Sequence, residues 1–481
     1  MTGVQTCALR SLWLVEAWAR AGGGQGYSGG GGGGSGGYSG GGGGGGDGIG
    51  LLLWLVFEHP VIGVPLLIVV AVVVFYAKSQ QQGVRQVHRT RQAPPAAAPR
   101  AGLGPIRQRD ASFSEPLFLD LARLVYTRAQ EARGAGNWET LAPYVDESVA
   151  TALHARSPGK PVRDVVLGAT RIEGTAVQGD IARISVLFEG NVTVGGSKRF
   201  VRERWDFARA AGTLSPGPDR MRALNCPSCG SPIDTTKEGR CRNCDNVITD
   251  GRLQWRVVTA RVLQDEPAPP LQLTRGAGVE AGTELPIVLA PDLAAQVRAF
   301  QARHADFEWE GFRARVVEVF ERIQRAWSDG KWEEARPFET DFLFQQHRYW
   351  IERYTAEGLR NGSSDVRVTD VVLARITVDA YLEAVTVRIF ARMRDWTQDK
   401  NGQVVGGSRT QDRIFSEYWT FLRSAGTTAR PREKVDACPS CGAPLDNVSE
   451  TGVCGYCDAK ITGGEYDWVL STIDQDEAYR G

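Results

Sequence analysis

Apolar residues at helical spacing open the folded part of this chain. In Phe118-x-x-Leu121-Ala-x-Leu124-Val125-x-x-x-Ala129 they recur every three or four positions, which predicts one buried face of a helix. Gly136-Asn-Trp138 ends that helix and starts a second, expected to run to about His154. The plan then returns, with a helix over 312–327, Gly330-Lys-Trp332, and a longer helical stretch to about Leu359; Pro143-Tyr144 matches Pro337-Phe338. After each helix pair the period changes. Asp164-Val-Val-Leu167 matches Asp370-Val-Val-Leu373, and each leads to Arg-Ile, at Arg171-Ile172 and Arg375-Ile376. Residues 181–192 and 384–393 alternate as half-buried strands do. Val194-Gly-Gly-Ser197 and Val405-Gly-Gly-Ser408 read as hairpin turns in which glycine supplies positive φ. Glu203-Arg-Trp205-x-Phe207 and Glu417-Tyr-Trp419-x-Phe421 follow, with a last strand at Trp255-Arg-Val-Val258 or Trp468-Val-Leu470. Two helices and then four antiparallel strands predict an α+β domain, a curved sheet with helices on one face, present twice.

Between the last two strands of each copy lies a cysteine pattern. Cys226 and Cys229 are followed by Cys241 and Cys244; Cys438 and Cys441 are followed by Cys454 and Cys457. Two residues within each pair let both thiolates meet one ion from a tight turn. Two such pairs make a closed tetrahedral site for zinc, with no open position. The small polar loop at 231–239 cannot form a core, so metal binding must supply the folding energy, on the order of 10 kcal/mol. A redox pair would not need the second pair of cysteines, and disulfides need an oxidising compartment. The expectation is two structural zinc ribbons, at 223–251 and 435–463.

The front of the chain differs in kind. Residues 1–9, MTGVQTCAL, resemble translated read-through of a sequencing adaptor, which puts Cys7 outside the fold and leaves the true N-terminus missing. Residues 10–21 read as the remnant of a secretory signal, with a short amphipathic helix as the alternative. Residues 22–50 are nearly all glycine and predict a flexible tail. Residues 51–77 form the only apolar stretch long enough to span a bilayer, which needs about 20 residues. Glu58-His59-Pro60 interrupts it as an interfacial corner. Lys78, Arg85, Arg89, Arg91 and Arg100 follow, whereas the glycine tail carries no basic residue, so the rest of the chain is expected in the cytoplasm, on the inner membrane. That placement agrees with free thiolates, and it keeps the triplets at Asn191, Asn361 and Asn447 from glycosylation. Residues 78–114 are a basic, Pro- and Ala-rich linker, with domains expected at 115–265 and 305–475 and a second linker at 266–304.

These residues resemble a known family. The helix pair, the curved sheet, Glu-x-Trp-x-Phe-x-Arg (Trp205, Phe207, Arg209; Trp419, Phe421, Arg423) and the closing tryptophans Trp255 and Trp468 are similar to the Tim-type import-motor tether family. That family comprises the C-terminal domain of the forty-four-kDa subunit of the mitochondrial inner-membrane translocase and its bacterial relatives. The resemblance implies a cystatin-like, nuclear-transport-factor-two-like fold, and membrane-proximal scaffolding or lipid binding. This chain departs from the mitochondrial members in its anchor, its duplication and its ribbons, so the import role does not carry over.

Charge and the remaining motifs narrow the function. Lys plus Arg equals Asp plus Glu, at 56 each, which does not favour a general nucleic-acid binder. Arg240, Arg242 and Arg252 in the first ribbon invite phosphate, but Asp446, Glu450, Asp458 and Glu465 in the second repel it. His59, His88, His154, His304 and His347 show no metal-ligand spacing, and His154 and His347 are expected at the surface or in caps. No phosphate-binding loop is present. Trp205, Trp255, Trp419 and Trp468 are expected to pack sheet against helices, with lining of a ligand pocket as the alternative. The leading expectation is a non-enzymatic scaffold that binds a protein partner or lipid at the membrane. The alternative is an enzyme or small-ligand binder of the same fold, for which Glu189 and Asp395, near strand ends, are the candidate bases. Deleting 51–77 should move the protein from the membrane pellet to the soluble fraction; a deletion variant that stays with carbonate-washed membranes would count against the anchor.

Overall fold

The computed structural model describes Ala21 and residues 102–268, 278–427, 437–449 and 451–481. The expected adaptor-derived start, signal remnant, glycine tail, membrane span and most of the first linker lie outside the described residues. Among the described residues, no helix is long and apolar enough to cross a membrane.

The first helix–sheet unit begins with α1 (Glu115–Ala135). Ser114 caps it by accepting from the Leu117 N–H at 3.4 Å, and Gly136, in the left-handed region at φ 77°, ends it. Its buried face is the predicted one: Phe118, Leu121, Ala122, Val125 and Ala129. Next comes α2 (Glu147–Ala155), then β1 (Val162–Gln178), β2 (Ile181–Val194), β3 (Ser197–Ala210) and β4 (Arg256–Pro267). The strands pair in chain order as an antiparallel meander. The second unit contains α3 (Leu293–Arg303), α4 (Trp309–Asp329) and α5 (Asp341–Ala356). Its strands are β5 (Leu359–Val378), β6 (Leu382–Asp399), β7 (Val404–Gly407), β8 (Arg413–Ser424) and β9 (Val469–Gln475). They are ordered β9-β8-β6-β5, with β7 paired to β6 and a two-residue strand, Gly278–Val279, paired parallel to β8. The fold class is therefore α+β with antiparallel sheets, as expected.

Aromatic packing joins helices to sheet in both units. Tyr126 lies 4.7 Å from Trp205 and stacks on Phe188 at 4.4 Å, while Trp255 meets Phe118 at 5.3 Å. In the second unit Trp419 meets Phe320, and Trp468 meets Phe312, each at 5.1 Å. These four tryptophans are core residues, as expected.

Four local expectations are corrected. The second helix of each pair does not start at the Gly-x-Trp signal. A 3-10 turn (Glu139–Leu141, Trp332–Phe338) comes first, and the chain then bonds to the last strand before the helix begins. Val145 bridges Val257 in one unit and Glu339 bridges Leu470 in the other. Pro143 and Pro337 cannot donate the bonds a continuous helix needs. The Gly-Gly turn holds only in the first unit, where Gly195 and Gly196 have φ 56° and 87° between paired Val194 and Ser197. In the second unit β6 runs on to Asp399, whose carboxylate accepts from the Asn401 and Gln403 N–H groups at 2.9 Å each, and that turn reverses the chain. Gly406 and Gly407 lie in β7; a Cβ on Gly407 would stand 2.2 Å from the Asp395 carbonyl. The first strand of the second unit starts at Leu359 rather than near Asp370. Finally, the expected linkers fold in part. Ile106 and Phe113 join the first core, and α3 packs Val297 and Phe300 on the second.

Buried ion pairs support both sheets. Arg209 lies over Trp255 at 4.4 Å and donates to Asp110 at 2.7 Å, with both charged side chains almost wholly buried. Replacing Arg209 with Met strands that carboxylate. The expected loss is about 3–5 kcal/mol, read as a lower denaturant midpoint, and Asp110→Asn in the same chain should restore part of it. No change in midpoint would sink this account of the core.

Candidate metal centres

Each cysteine tetrad sits between the last two strands of its unit. Within each tetrad the four sulfurs lie within 4.8 Å of one another. Cys226–Cys244, Cys229–Cys241 and Cys438–Cys457 sulfur separations are 3.9, 4.0 and 3.9 Å. A tetrahedral zinc with 2.3 Å bonds needs about 3.8 Å between sulfurs. All eight cysteines are free of disulfides. The donor set therefore fits zinc, and either tetrad can hold one ion.

The turns that present the sulfurs are the same in both. Each Cys-x-x-Cys closes with an N–H from the following residue to the first cysteine's carbonyl. These are Gly230 to Cys226 at 2.9 Å, Asp245 to Cys241 at 2.8 Å, Gly442 to Cys438 at 2.9 Å and Asp458 to Cys454 at 2.9 Å. The donors all have positive φ, 82° and 78° for the glycines and 58° and 56° for the aspartates. Asp is among the few side chains that tolerate that region. Only small apolar clusters accompany the sulfurs, Ile248 with the first pair and Ile461 with the second.

Without metal the thiols differ. Ser231, with Asn243, hydrogen-bonds to Cys229 and holds its thiol down to about 5. Burial pushes Cys226 up to about 12. The Ala459 N–H draws Cys457 down to about 7. Hydrogen bonds thus favour the thiolate at Cys229 in one tetrad and at Cys457 in the other, and metal binding must deprotonate the thiols that remain protonated.

Both segments are tied to their units. The Tyr144 hydroxyl donates to the Asn225 carbonyl at 2.6 Å. Lys460 donates to Asp341 Oδ2 at 2.5 Å, at the start of α5, and the Thr462 hydroxyl donates to Asp341 Oδ1 at 3.1 Å.

The other candidates are placed as follows. Glu203 is fully buried and accepts from Gln130 and Trp205 at 2.9 Å and Arg156 at 2.7 Å; Glu417 accepts from Trp419 at 3.0 Å and Gln475 at 3.1 Å. These glutamates orient the tryptophans of their own motif. Glu189 pairs with Arg171 and Arg202 at 3.2 and 3.0 Å on the sheet surface. Asp395 is buried and paired with Arg413 at 2.8 Å. The two lie in different units, so no shared site forms from them. His154 is a cap, 2.8 Å from the Arg133 carbonyl of the last turn of α1. His347 corrects the surface expectation: it is buried, 2.9 Å from Glu339 and edge-on to Trp327 and Trp332. His304 contacts the buried Glu383, which also takes Arg423 at 2.7 Å. Arg240, Arg242 and Arg252 each face an aspartate, at 3.7, 3.1 and 3.3 Å, which leaves little free positive charge on the first tetrad segment.

A cavity of about 630 Å³ opens in the second unit between α3, the loop before α4, and β5 and β6. Apart from Gln301 and Glu308 its lining is apolar, with Phe300, Phe307, Trp309 and Val385 among the walls. The sequence expectation of a linker over 266–304 leaves no room for it, because that expectation omits α3. The signal was there in Leu293, Val297 and Phe300, at helical spacing.

The fold and these sites define a class: an α+β module of helices on an antiparallel sheet, with a four-cysteine segment between its last strands. The family described as Tim44-like domain matches residues 293–434, under a third of the chain and within the second unit. A solved structure titled "Ntf2 like protein involved in plasmid conjugation" aligns over 76% of this chain and 97% of its own, at 8% identity and a TM-score of 0.19. No curated protein matches the chain.

Elemental analysis of the purified protein should find two zinc ions per chain, falling to one in either Cys229→Ser or Cys441→Ser. Acidification should release them, since protons compete for the thiolates. A metal-free preparation with an unchanged melting temperature would remove the structural reading.

Proposed function

We propose that this chain is a non-enzymatic, membrane-anchored scaffold that holds a lipid or protein partner at the cytoplasmic face of the inner membrane. It does so through two copies of a Tim44-type domain with a nuclear-transport-factor-two-like fold. In this reading residues 51–77 anchor the chain, and each copy carries a structural zinc ribbon between its last two strands. The observation that carries the proposal is the apolar cavity of the second unit. Every residue lining it falls within the stretch that matches the Tim44-like domain. A cavity of this size suits an acyl chain or the apolar side chains of a docked segment.

Support for two copies comes from geometry that recurs residue by residue. Trp205, Phe207, Arg209 and Trp255 take the places of Trp419, Phe421, Arg423 and Trp468, and in both sets the arginine lies over the last tryptophan, at 4.4 and 4.5 Å. The enzyme reading rests on Glu189 and Asp395; Glu189 is paired with Arg171 and Arg202 on the first sheet, Asp395 lies in the core against Arg413, and neither lines the cavity, so the binding reading is favoured.

The test is purification of the full chain from membranes in mild detergent, with mass spectrometry of the proteins and lipids that accompany it. A stoichiometric partner or an enriched lipid is expected, and Val385→Trp, which fills the cavity, should deplete it at least several-fold. Equal recovery with the filled cavity would overturn the assignment.

A further inference from the structure

Ala21 has no exposed surface and belongs to the apolar cluster of the second unit. Its carbonyl accepts from Gln324 Nε2 at 2.9 Å, although 303 positions separate the two in the chain. Gln324 stands on α4, one turn from the core residues Phe320 and Trp327, and is itself almost wholly buried. Its Oε1 has no hydrogen-bond partner among the described residues. A buried side-chain amide with one half unpaired is costly, so this position suits a ligand that offers both a carbonyl and an N–H. A peptide backbone offers both.

The first unit uses the corresponding amide differently. Gln130 stands as far after Phe118 on α1 as Gln324 stands after Phe312 on α4. It donates to Glu203 at 2.9 Å, so its Nε2 is engaged inside its own unit. The matching glutamate of the second unit, Glu417, accepts from Trp419 at 3.0 Å and from Gln475 of β9 at 3.1 Å. Gln475 thus stands where Gln130 would, and Gln324 Nε2 goes to Ala21 instead.

We propose that α4 carries a slot for a peptide segment, held through its backbone by Gln324 with a small side chain at the buried position, and that the chain fills this slot with its own segment at Ala21. Tethering raises the local concentration of that segment, so a weak contact suffices to keep the slot filled. The slot does not rest on the scaffold reading, but it bears on the anchor. Ala21 precedes residues 51–77 and Gln324 follows them, so a filled slot puts both ends of that stretch on one face of the membrane.

Trypsin tests this on the full chain in mild detergent, with mass spectrometry to follow the initial rate of cutting at the Arg20–Ala21 bond. Burial of Ala21 should protect that bond in the wild type. Gln324→Leu removes the amide and keeps the apolar volume, and Ala21→Gln puts a longer polar side chain in the slot. Each should speed the cut by about tenfold or more. A fluorescent peptide of residues 16–26 then reports on the vacated slot by anisotropy. It should bind the Ala21→Gln chain, bind the wild type about tenfold more weakly because the slot is filled, and fail to bind once Gln324→Leu is added. Ala21→Gln lies outside both helix–sheet units and serves if Gln324→Leu does not fold. Equal cutting of the wild type and the variants, equal peptide binding to the wild type and Ala21→Gln, or a purified chain that begins after Ala21 overturns the proposal.

Discussion

An insertion between two paired strands must bring its ends back to one register, and that constraint governs the rest of this molecule. Ala208 pairs with Arg256, and Leu422 with Val469, although a long polar segment intervenes each time. The segment is clipped again at its neck: the Ala210 N–H donates to Gly251 at 3.0 Å, and the Ser424 N–H to Gly464 at 2.8 Å. Inside the neck there are too few apolar side chains to form a core. Four convergent sulfurs stand where a core would, a set that can hold one ion, while the sheet beneath depends on aromatic packing.

That division lets the two units share a frame and differ in detail. An arginine lies over the closing tryptophan in both, but its carboxylate comes from different elements. Asp110, upstream of α1, serves Arg209, whereas Glu383 on β6 serves Arg423 and also contacts His304 after α3. In the first unit Ile106 and Phe113 fill the helix–sheet junction. In the second, α3 spans the corresponding region and a cavity remains. Leu382 and Leu422 of the second sheet belong to the first unit's apolar cluster, and the Tyr381 hydroxyl donates to the Ser215 carbonyl at 2.9 Å.

Local periodicity and spacing made much of this legible beforehand. The face of α1, the cysteine pairs and the four core tryptophans depend on neighbours within a few residues and are readable from the chain, whereas β6, expected to alternate, is buried on both faces over 382–389 because other elements cover it. What depended on distant partners was not. Pro143 and Pro337 marked a break, but the parallel bridges of Val145 to Val257 and Glu339 to Leu470 exist only once the last strand is in place. The two Val-Gly-Gly-Ser runs are identical in composition and differ in role, because one sits at a strand end and the other beside a strand that runs further. His347 lies on a helix whose outer and inner faces are set by what packs against it, and two tryptophans and Glu339 enclose it.

The sequence by itself determined the class of fold, the place of the four-cysteine segments and the four core tryptophans, because short-range pattern and cysteine spacing suffice for those. Only the tertiary structure decided which carboxylate pairs with which arginine, that α3 belongs to the second core, and that a cavity opens beside it. Those features arise where segments far apart in the chain meet, and the volume left between them depends on shapes that no local pattern encodes.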